Sequence, residues 1–324
     1  MDVGRPRLWQ YRLADGLVME WAMGQMSRLR FERVAVTGGS GRLGTHVVRR
    51  LTGACAVRVV DIRPPAAGID HVTASITDHR ALLDAFAGQD AVLHLAAIPN
   101  PRTTTQENTF VTNVHGTWAV LDAAEQAGVH RVVVVSSDAS TGLHYNQPGW
   151  APQYLPVDEA HPLRPVEAYS LSKVVTESVA RSYAARGKLE VLVVRPTHVV
   201  FPPEYPEIEA RGADLQNYHL WSYVEPEDVA DALASTLAVA SARFDTFFVS
   251  AADTMSTRPT LELIEARYGR LPEIRDRALY RDDPCAAVWD ISKARRVLGY
   301  EPRSDWRRLC AMRDAAAGAP DGNR

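Results

Sequence analysis

From Arg33 onward the chain alternates short, almost wholly apolar runs with longer helical stretches, and this alternation restricts the fold more than any single residue does. The runs are "RVAVT" (33–37), "AVRVVD" (56–61), "HVTAS" (71–75), "AVLHLA" (91–96), "RVVVVS" (131–136) and "EVLVVR" (190–195). Most lack the polar alternation of a strand with one wet face, so they predict strands buried on both faces, as in a parallel sheet covered by helices. The segments between them supply those helices. "DHRALLDAF", "NVHGTWAVLDAAEQAG" and "AYSLSKVVTESVARSYAARG" stop at Gly88, Gly128 and Gly187, each suited to the left-handed residue just past a helix end. The expected class is α/β, a doubly wound parallel sheet. Later, "PEDVADALASTLAV" (226–239) predicts an amphipathic helix, "FDTFFVSA" a late strand, and "SKARRVLGYEP" a small C-terminal helix followed by a stop.

Composition narrows the partners. With 46% hydrophobic and 23% charged residues the chain can bury a substantial core, and its formal charge of -3 is scattered, with no basic stripe for a nucleic acid and no polybasic tract for a membrane. A small-molecule partner is expected. Cys55, Cys285 and Cys310 lie far apart and form neither a metal-binding pair nor a disulfide framework, which predicts no metal and a reducing, cytoplasmic setting. Residues 1–30 read as an N-terminal extension, because "LVMEWAM" is interrupted by Glu20 and is shorter than a membrane span. Two proline-rich stretches, 146–165 and 201–212, are too proline-rich for helix interiors and are candidate walls of a substrate site.

"VTGGSGRLG" overlaps the end of the first strand and opens a helix. Gly39, Gly41 and Gly44 fit G-x-G-x-x-G, while Gly38, Gly41 and Gly44 give G-x-x-G-x-x-G. Either spacing removes Cβ atoms where a pyrophosphate approaches the backbone, and the amides of the helix N-terminus then face its charge. The turn from Gly38 to Gly44, with Arg42 and Leu43 inside it, is the candidate cradle. Asp61, ending the second strand beside Ile62, can accept hydrogen bonds from ribose hydroxyls and would repel a 2′-phosphate. NAD is favoured over NADP, although Arg42 and Arg63 are guanidinium groups that could meet a 2′-phosphate.

"EAYSLSK" (167–173) sets Tyr169 and Lys173 four positions apart on one helix face. A phenol with an ordinary pKa of about 10 becomes a useful acid-base if a neighbouring cation stabilises its phenolate. The pair follows, in order, the glycine turn, Asp61, "HLAA" (94–97), Asn113 and "VVVVSS" (132–137). This series resembles the extended short-chain dehydrogenase/reductase superfamily of the NAD-dependent epimerase/dehydratase type, over about residues 33–310.

The resemblance implies a Rossmann domain (31–200) and a small C-terminal substrate-binding region (201–324) with elements returning to the sheet. It implies Tyr169 as acid-base, Lys173 holding the ribose and tuning Tyr169, and Asn113 supporting a water relay to Lys173. It also implies adenine contacts from Ser75 and Ile76, contacts along the cofactor from Leu95, Ala96 and Ala97, and residues Pro196 to His198 near the nicotinamide. Two long helices, 107–127 and 167–186, would pair with their copies in a homodimer. Trp118 is expected in the core.

"SSDASTG" departs from the nucleotide-sugar members, which carry a hydroxyl where this chain has Asp138. Ser137 must then hydrogen-bond the substrate oxygen, or Ser140 must move in. The layout is similar to uronate dehydrogenases, yet Asp138 would repel a substrate carboxylate unless protonated or paired. His219 stands where that group's carboxylate-binding arginine is expected; it reads either as a substrate contact or as an exposed loop histidine. Residues 196–220 leave little length to wrap a nucleotide diphosphate. The expected activity is hydride transfer between NAD and a secondary hydroxyl, ketone or hemiacetal of a small sugar-like molecule. The alternatives are a nucleotide-sugar epimerase or dehydratase with tightly bound NAD, and a non-catalytic sensor of NAD(P).

Overall fold

All six apolar runs form strands. In the computed structural model, which describes residues 29–99, 104–145, 149–240 and 243–317, they are β1 (Arg33–Thr37), β2 (Ala56–Asp61), β3 (Asp70–Thr73), β4 (Ala91–His94), β5 (Arg131–Val135) and β7 (Glu190–Pro196). A short β6 (Tyr154–Leu155) intervenes, and β8 (Phe244–Val249) and β9 (Glu273–Ile274) follow. The main sheet has the order β3-β2-β1-β4-β5-β7-β8 with every neighbour parallel, and β6 pairs with β9 apart from it. β4 stops short of the full "AVLHLA" run, its last ladder bond being from the Leu95 amide to the Thr37 carbonyl at 3.1 Å. Of the extension expected at 1–30, residues 1–28 lie outside the described residues.

Successive strand residues face opposite sides of the sheet, and both sides are apolar. Val34, Val36, Leu93, Val133, Leu192 and Val194 meet Val47, Val48 and Leu51 of helix α1 (Arg42–Leu51) in one core. Ala35, Val60, Val92, Val132, Val134 and Val193 face the other way, onto α2 (His79–Phe86), α3 (Gln106–Gln126) and α4 (Ala168–Ala185). Each fully buried Val or Leu contributes roughly 1.5–3 kcal/mol, so the two-sided pattern that marked these strands also stabilises them. Gly88, Gly128 and Gly187 have φ of 72°, 77° and 85°, the left-handed residues expected past α2, α3 and α4.

Beyond the sheet lies a third core. The chain passes through a short 3-10 turn (Pro202–Glu207) and α5 (Ile208–Ala213), then returns through α6 (Pro226–Ala238), whose Val229, Leu233 and Leu237 pack with α1. The expectation that 201–212 holds no helix is corrected here: Pro202 and Pro203 occupy the opening of the turn, where a missing amide hydrogen leaves no bond unmade. After β8 come α7 (Thr260–Tyr268), α8 (Arg277–Asp282), α9 (Ser292–Leu298) and α10 (Trp306–Ala317). Leu155, Trp221, Phe248, Met255, Leu263, Trp289 and Trp306 form the third core, which backs the C-terminal edge of the main sheet. Trp118, expected inside, lies instead on the outer side of α3, stacked on the rings of His79 and His115.

One buried ion pair fastens α4 to the sheet. Arg195, near the end of β7, donates to both carboxylate oxygens of Glu177 at 2.8 and 2.6 Å, and the hydroxyl of Ser136, just past β5, donates to Glu177 as well. Both charged side chains are buried. Removing one partner strands a charge, whereas replacing both with apolar groups does not. Glu177→Ala should therefore cost about 3–5 kcal/mol in chemical denaturation, and the double variant Glu177→Leu with Arg195→Met should recover most of that loss.

Candidate functional site

The chain leaves β1 toward β2 on one side, whereas β4 leads to β5 on the other. The connections after β1 and β4 therefore part, opening a crevice at the C-terminal ends of the strands where ligands of such sheets bind. The glycine turn occupies it. Gly38 has φ +73°, and a Cβ there would lie 2.7 Å from the Ala96 nitrogen; a Cβ on Gly44 would lie 2.0 Å from the Gly38 carbonyl oxygen. These close approaches hold α1 with its first turn against the ends of β1 and β4. Its N-cap, Gly41, offers no side-chain hydrogen bond, and the first turn carries no acidic residue, so its amide dipoles remain directed at an anion.

Asp61 is buried at the end of β2, where its Oδ2 accepts from the Ser40 amide and its Oδ1 from the Arg63 amide, both at 3.0 Å. Each carboxylate oxygen retains a second lone pair for a ribose hydroxyl. Ile62 beside it is 69% exposed, a flat apolar surface at the same end of the crevice. Ser75 hydrogen-bonds Thr77, and the Ile76 side chain fills the space at Gly116 of α3, where a Cβ would come within 2.4 Å of it. Leu43 packs into the core under the turn, while Arg42 lies 4.1 Å over the Phe201 ring and pairs with Glu204 at 3.5 Å. That contact draws the Pro202–Glu207 turn toward the cradle. The set fits a dinucleotide: a glycine turn that a Cβ would fill, a bare helix N-terminus and a carboxylate at the next strand end.

Tyr169 and Lys173 sit in the first two turns of α4. The helix begins there because the Glu167 carboxylate accepts from the amides of Tyr169 and Ser170, an N-cap that fixes the first turn. Buried Lys173 donates to the Val135 carbonyl at 2.8 Å, and its ammonium lies 5.6 Å from the Tyr169 ring centre. Burial lowers its pKa to about 8, with Glu177 opposing, so it keeps its proton at neutral pH. Tyr169 moves the other way. Burial pushes the phenol well above its usual value, Asp138 and Glu167 add to that, and a hydrogen bond with Ser137 works against it.

Asn113 is spoken for. Its Oδ1 accepts from the Ile98 amide at 2.8 Å, and its Nδ2 donates to the Ile98 carbonyl and to the Ser172 hydroxyl, tying the chain that passes through Leu95, Ala96 and Ala97 to α4. His94, at the start of "HLAA", is held between the hydroxyls of Thr37 and Thr117, and burial lowers its pKa to about 3, with Lys173 contributing. It is a neutral hydrogen-bonding bridge between β1 and α3.

Past β5, Ser137 caps a 3-10 turn, Asp138–Thr141. Its Oγ accepts from the Ala139 amide at 3.1 Å and donates to Asp138 Oδ1 at 3.0 Å. Ser140 is fully buried within that turn, which leaves Ser137 as the hydroxyl beside Tyr169. Asp138 is 2% exposed and faces His144, whose Nε2 is 3.0 Å from Oδ2.

His144 joins a group of rings drawn from distant segments. It stacks on Trp289 and meets His219 edge-on, centroids 5.6 Å apart, while His219 stacks on His198 at 3.9 Å and 16°. His198 Nε2 lies 2.8 Å from the Arg211 guanidinium, which can only donate, so that nitrogen accepts and the ring proton sits on Nδ1. Burial, reinforced by Arg211, lowers the His198 pKa to about 4. His219 is thus half-buried in a ring stack, not an exposed loop residue. It precedes Leu220 and Trp221, both fully buried at φ 53° and 56°. Such left-handed non-glycine residues cost about 1–3 kcal/mol each and persist only where the surroundings fix them.

The expected residues Gly38 to Gly44, Asp61, Ile62, Ser75, Ile76, Leu95 to Ala97, Ser137, Asp138, Pro196 and His198 all end or follow strands on this one edge. Tyr169, Lys173 and Asn113 reach it from α4 and α3. Sequence reasoning missed Glu167, Glu177 and His144. Glu167 followed by Ser170 reverses the usual capping-box order, and the pairing of His144 with Asp138 had no spacing signal.

Comparison with known proteins gives the family. L-arabinose 1-dehydrogenase (NAD(P)(+)) of Haloferax volcanii is 34% identical over 168 residues, covering 50% of this chain and 65% of that protein. Uronate dehydrogenase of Pseudomonas putida is 31% identical over 175 residues, covering 52% of this chain and 62% of its own length. The chain thus spans less than two thirds of each of these relatives. A short-chain dehydrogenase/reductase superfamily protein from Agrobacterium tumefaciens, solved with bound NAD, superposes with a TM-score of 0.67 at 26% identity, covering 88% of this chain and 97% of the other. Residues 34–213 match the NAD dependent epimerase/dehydratase family, and the chain belongs to that family.

Proposed function

We propose that this protein is an NAD-dependent oxidoreductase that moves hydride between the cofactor and a secondary hydroxyl, ketone or hemiacetal of a small, free sugar-like molecule. The observation that carries this reading is the hydrogen bond between Ser137, just past β5, and Tyr169 of α4, next to Asp138, whose partner His144 packs against His219 and, through it, His198. NAD supplies the hydride acceptor when bound. Gly38, Gly41 and Gly44 admit its pyrophosphate to the first turn of α1, and Asp61 takes the ribose hydroxyls. Tyr169 and Ser137 hydrogen-bond the reacting oxygen, and protonated Lys173 steadies the ribose nearby.

A free substrate fits the short connection between β7 and α6, which contains only one 3-10 turn and the six-residue α5. Two dehydrogenases among the relatives, named for L-arabinose and for uronate, support a substrate of that size. Outside α3 and α4, Val111, Trp118 and Leu171 are exposed, and we infer a homodimer through these helices. Among the described residues no helix is long and apolar enough to cross a membrane.

Incubating the protein with NAD and a panel of free pentoses, hexoses, aldonates and uronates should produce NADH at 340 nm. Turnover of a UDP-sugar without net NADH would instead establish an epimerase or dehydratase. Tyr169→Phe should lower the rate of NADH formation about 100-fold, in line with the loss of one positioned donor to the reacting oxygen. Asp61→Ala should weaken NAD binding and leave NADP binding less affected, and an unchanged preference in calorimetric titrations would remove Asp61 from the ribose site. Sedimentation of Trp118→Glu should give a monomer where the parent protein gives a dimer.

A further inference from the structure

We propose that Glu177 is the counter-ion of the Lys173 ammonium, a positioning residue that acts on the reaction through that lysine. This rests on the oxidoreductase reading above, in which a charged Lys173 serves Tyr169. Tyr169, Lys173 and Glu177 are spaced four apart and so form one stripe along α4. Three consecutive residues at the end of β5 meet that stripe. The Val135 carbonyl accepts from Lys173 at 2.8 Å, the Ser136 hydroxyl donates to Glu177 at 2.5 Å, and Ser137 hydrogen-bonds Tyr169. The carboxylate is thereby held one helical turn from the ammonium, and both side chains are buried, where opposite charges attract far more strongly than in water.

A buried ammonium sheds its proton unless an opposite charge compensates for the lost water. The hydrogen bond that Lys173 makes is to a neutral carbonyl, and the elements packed around it supply little else. From β4, His94 is a neutral imidazole, its pKa lowered to about 3 by burial with Lys173 contributing. From α3, Asn113 is uncharged and bound to Ser172. From β7, Arg195 brings a positive charge, set against the Glu177 carboxylate. Asp138 of the 3-10 turn and Glu167 at the helix cap act on Tyr169, and Asp138 is paired with His144. Glu177 is the group that opposes the effect of burial on Lys173.

Arg195 makes the arrangement asymmetric. A guanidinium stays charged at any working pH, whereas an amine does not. Glu177 therefore faces one fixed cation and one that titrates, and its charge is divided between fastening α4 to β7 and keeping the proton on Lys173. The consequence reaches Tyr169. An ammonium 5.6 Å from the ring centre favours the phenolate that accepts the hydroxyl proton of the substrate, and a neutral amine does not. The Lys173 pKa of about 8 lies only just above neutrality, so loss of Glu177 would remove the charge at working pH.

The whole chain contains three lysines, Lys173, Lys188 and Lys293, so the Lys173 side chain can be followed directly. NMR of the full chain with isotope-labelled lysine, without cofactor and assigned with Lys188→Arg and Lys293→Arg, gives its titration midpoint. In Glu177→Gln that midpoint should fall by about a unit or more, because the opposing charge is gone while burial remains. In Arg195→Met it should rise, because the carboxylate then faces the ammonium alone. A residue that only fastens the helix predicts the opposite for Glu177→Gln: a loosened α4 admits water and moves the midpoint up, toward the ordinary lysine value. A midpoint that rises or stays in place in Glu177→Gln therefore overturns the proposal. Should the single variants fail to fold, the double variant Glu177→Leu with Arg195→Met carries the same test, a lower midpoint supporting the counter-ion and an unchanged or higher one overturning it. With a substrate that yields NADH, the alkaline limb of the pH–rate profile should move to lower pH in Glu177→Gln by the same interval as the midpoint, and a limb that stays in place counts equally against the proposal. If no alcohol yields NADH, the oxidoreductase reading falls, and the lysine titration still decides whether Glu177 holds the charge on Lys173.

Discussion

Glu177 decides where the reacting end of the site can be. From α4 its carboxylate reaches both Ser136, just past β5, and Arg195, near the end of β7, and so fixes the rotation of the helix relative to two neighbouring strands. Lys173 stands one turn earlier on the same face, and its bond to the Val135 carbonyl follows from that rotation. Tyr169, one turn earlier again, is then delivered to Ser137. The Glu167 cap sets the helix start, so the tyrosine is positioned from both directions along α4. A helix with the same spacing but without this anchor could turn its phenol elsewhere at little cost.

Much of this was readable from the amino-acid order. The strands were legible because burial on two faces leaves a dense apolar signature, and the helices because glycine closes them. The cradle was legible because Gly38 and Gly44 occur where their neighbours tolerate no Cβ. The Tyr169 and Lys173 spacing pointed to one helix face, although it could not reveal that Lys173 would bond a strand carbonyl while burial governs the phenol. The histidine cluster was hidden for a different reason. His144, His198 and His219 lie on three separate segments, and nothing in their separation along the chain announces the contact. For the same reason Asp138 looked like an obstacle to binding until its imidazole partner came into view.

The cradle and the histidine cluster depend on different parts of the molecule. The first is built from strand ends in the main sheet and from α1, whose apolar face packs on the strands beneath it. The second is built from loops resting on the third core, where Trp289 supports His144 and strained Leu220 and Trp221 set the direction of the segment that carries His219. The glycine turn and the histidine cluster are thus held by separate sets of packing contacts.

Tyr223 closes that segment: its hydroxyl donates to Asp253 and accepts from the Trp306 amide, while Ser304, two residues earlier, is held by Asp228 of α6. The final helix therefore acts as a buttress for a loop more than eighty positions upstream. Selection for a new substrate can work on the far end of the polypeptide, retuning the histidine cluster by altering what braces it, while the dinucleotide end keeps its inherited form.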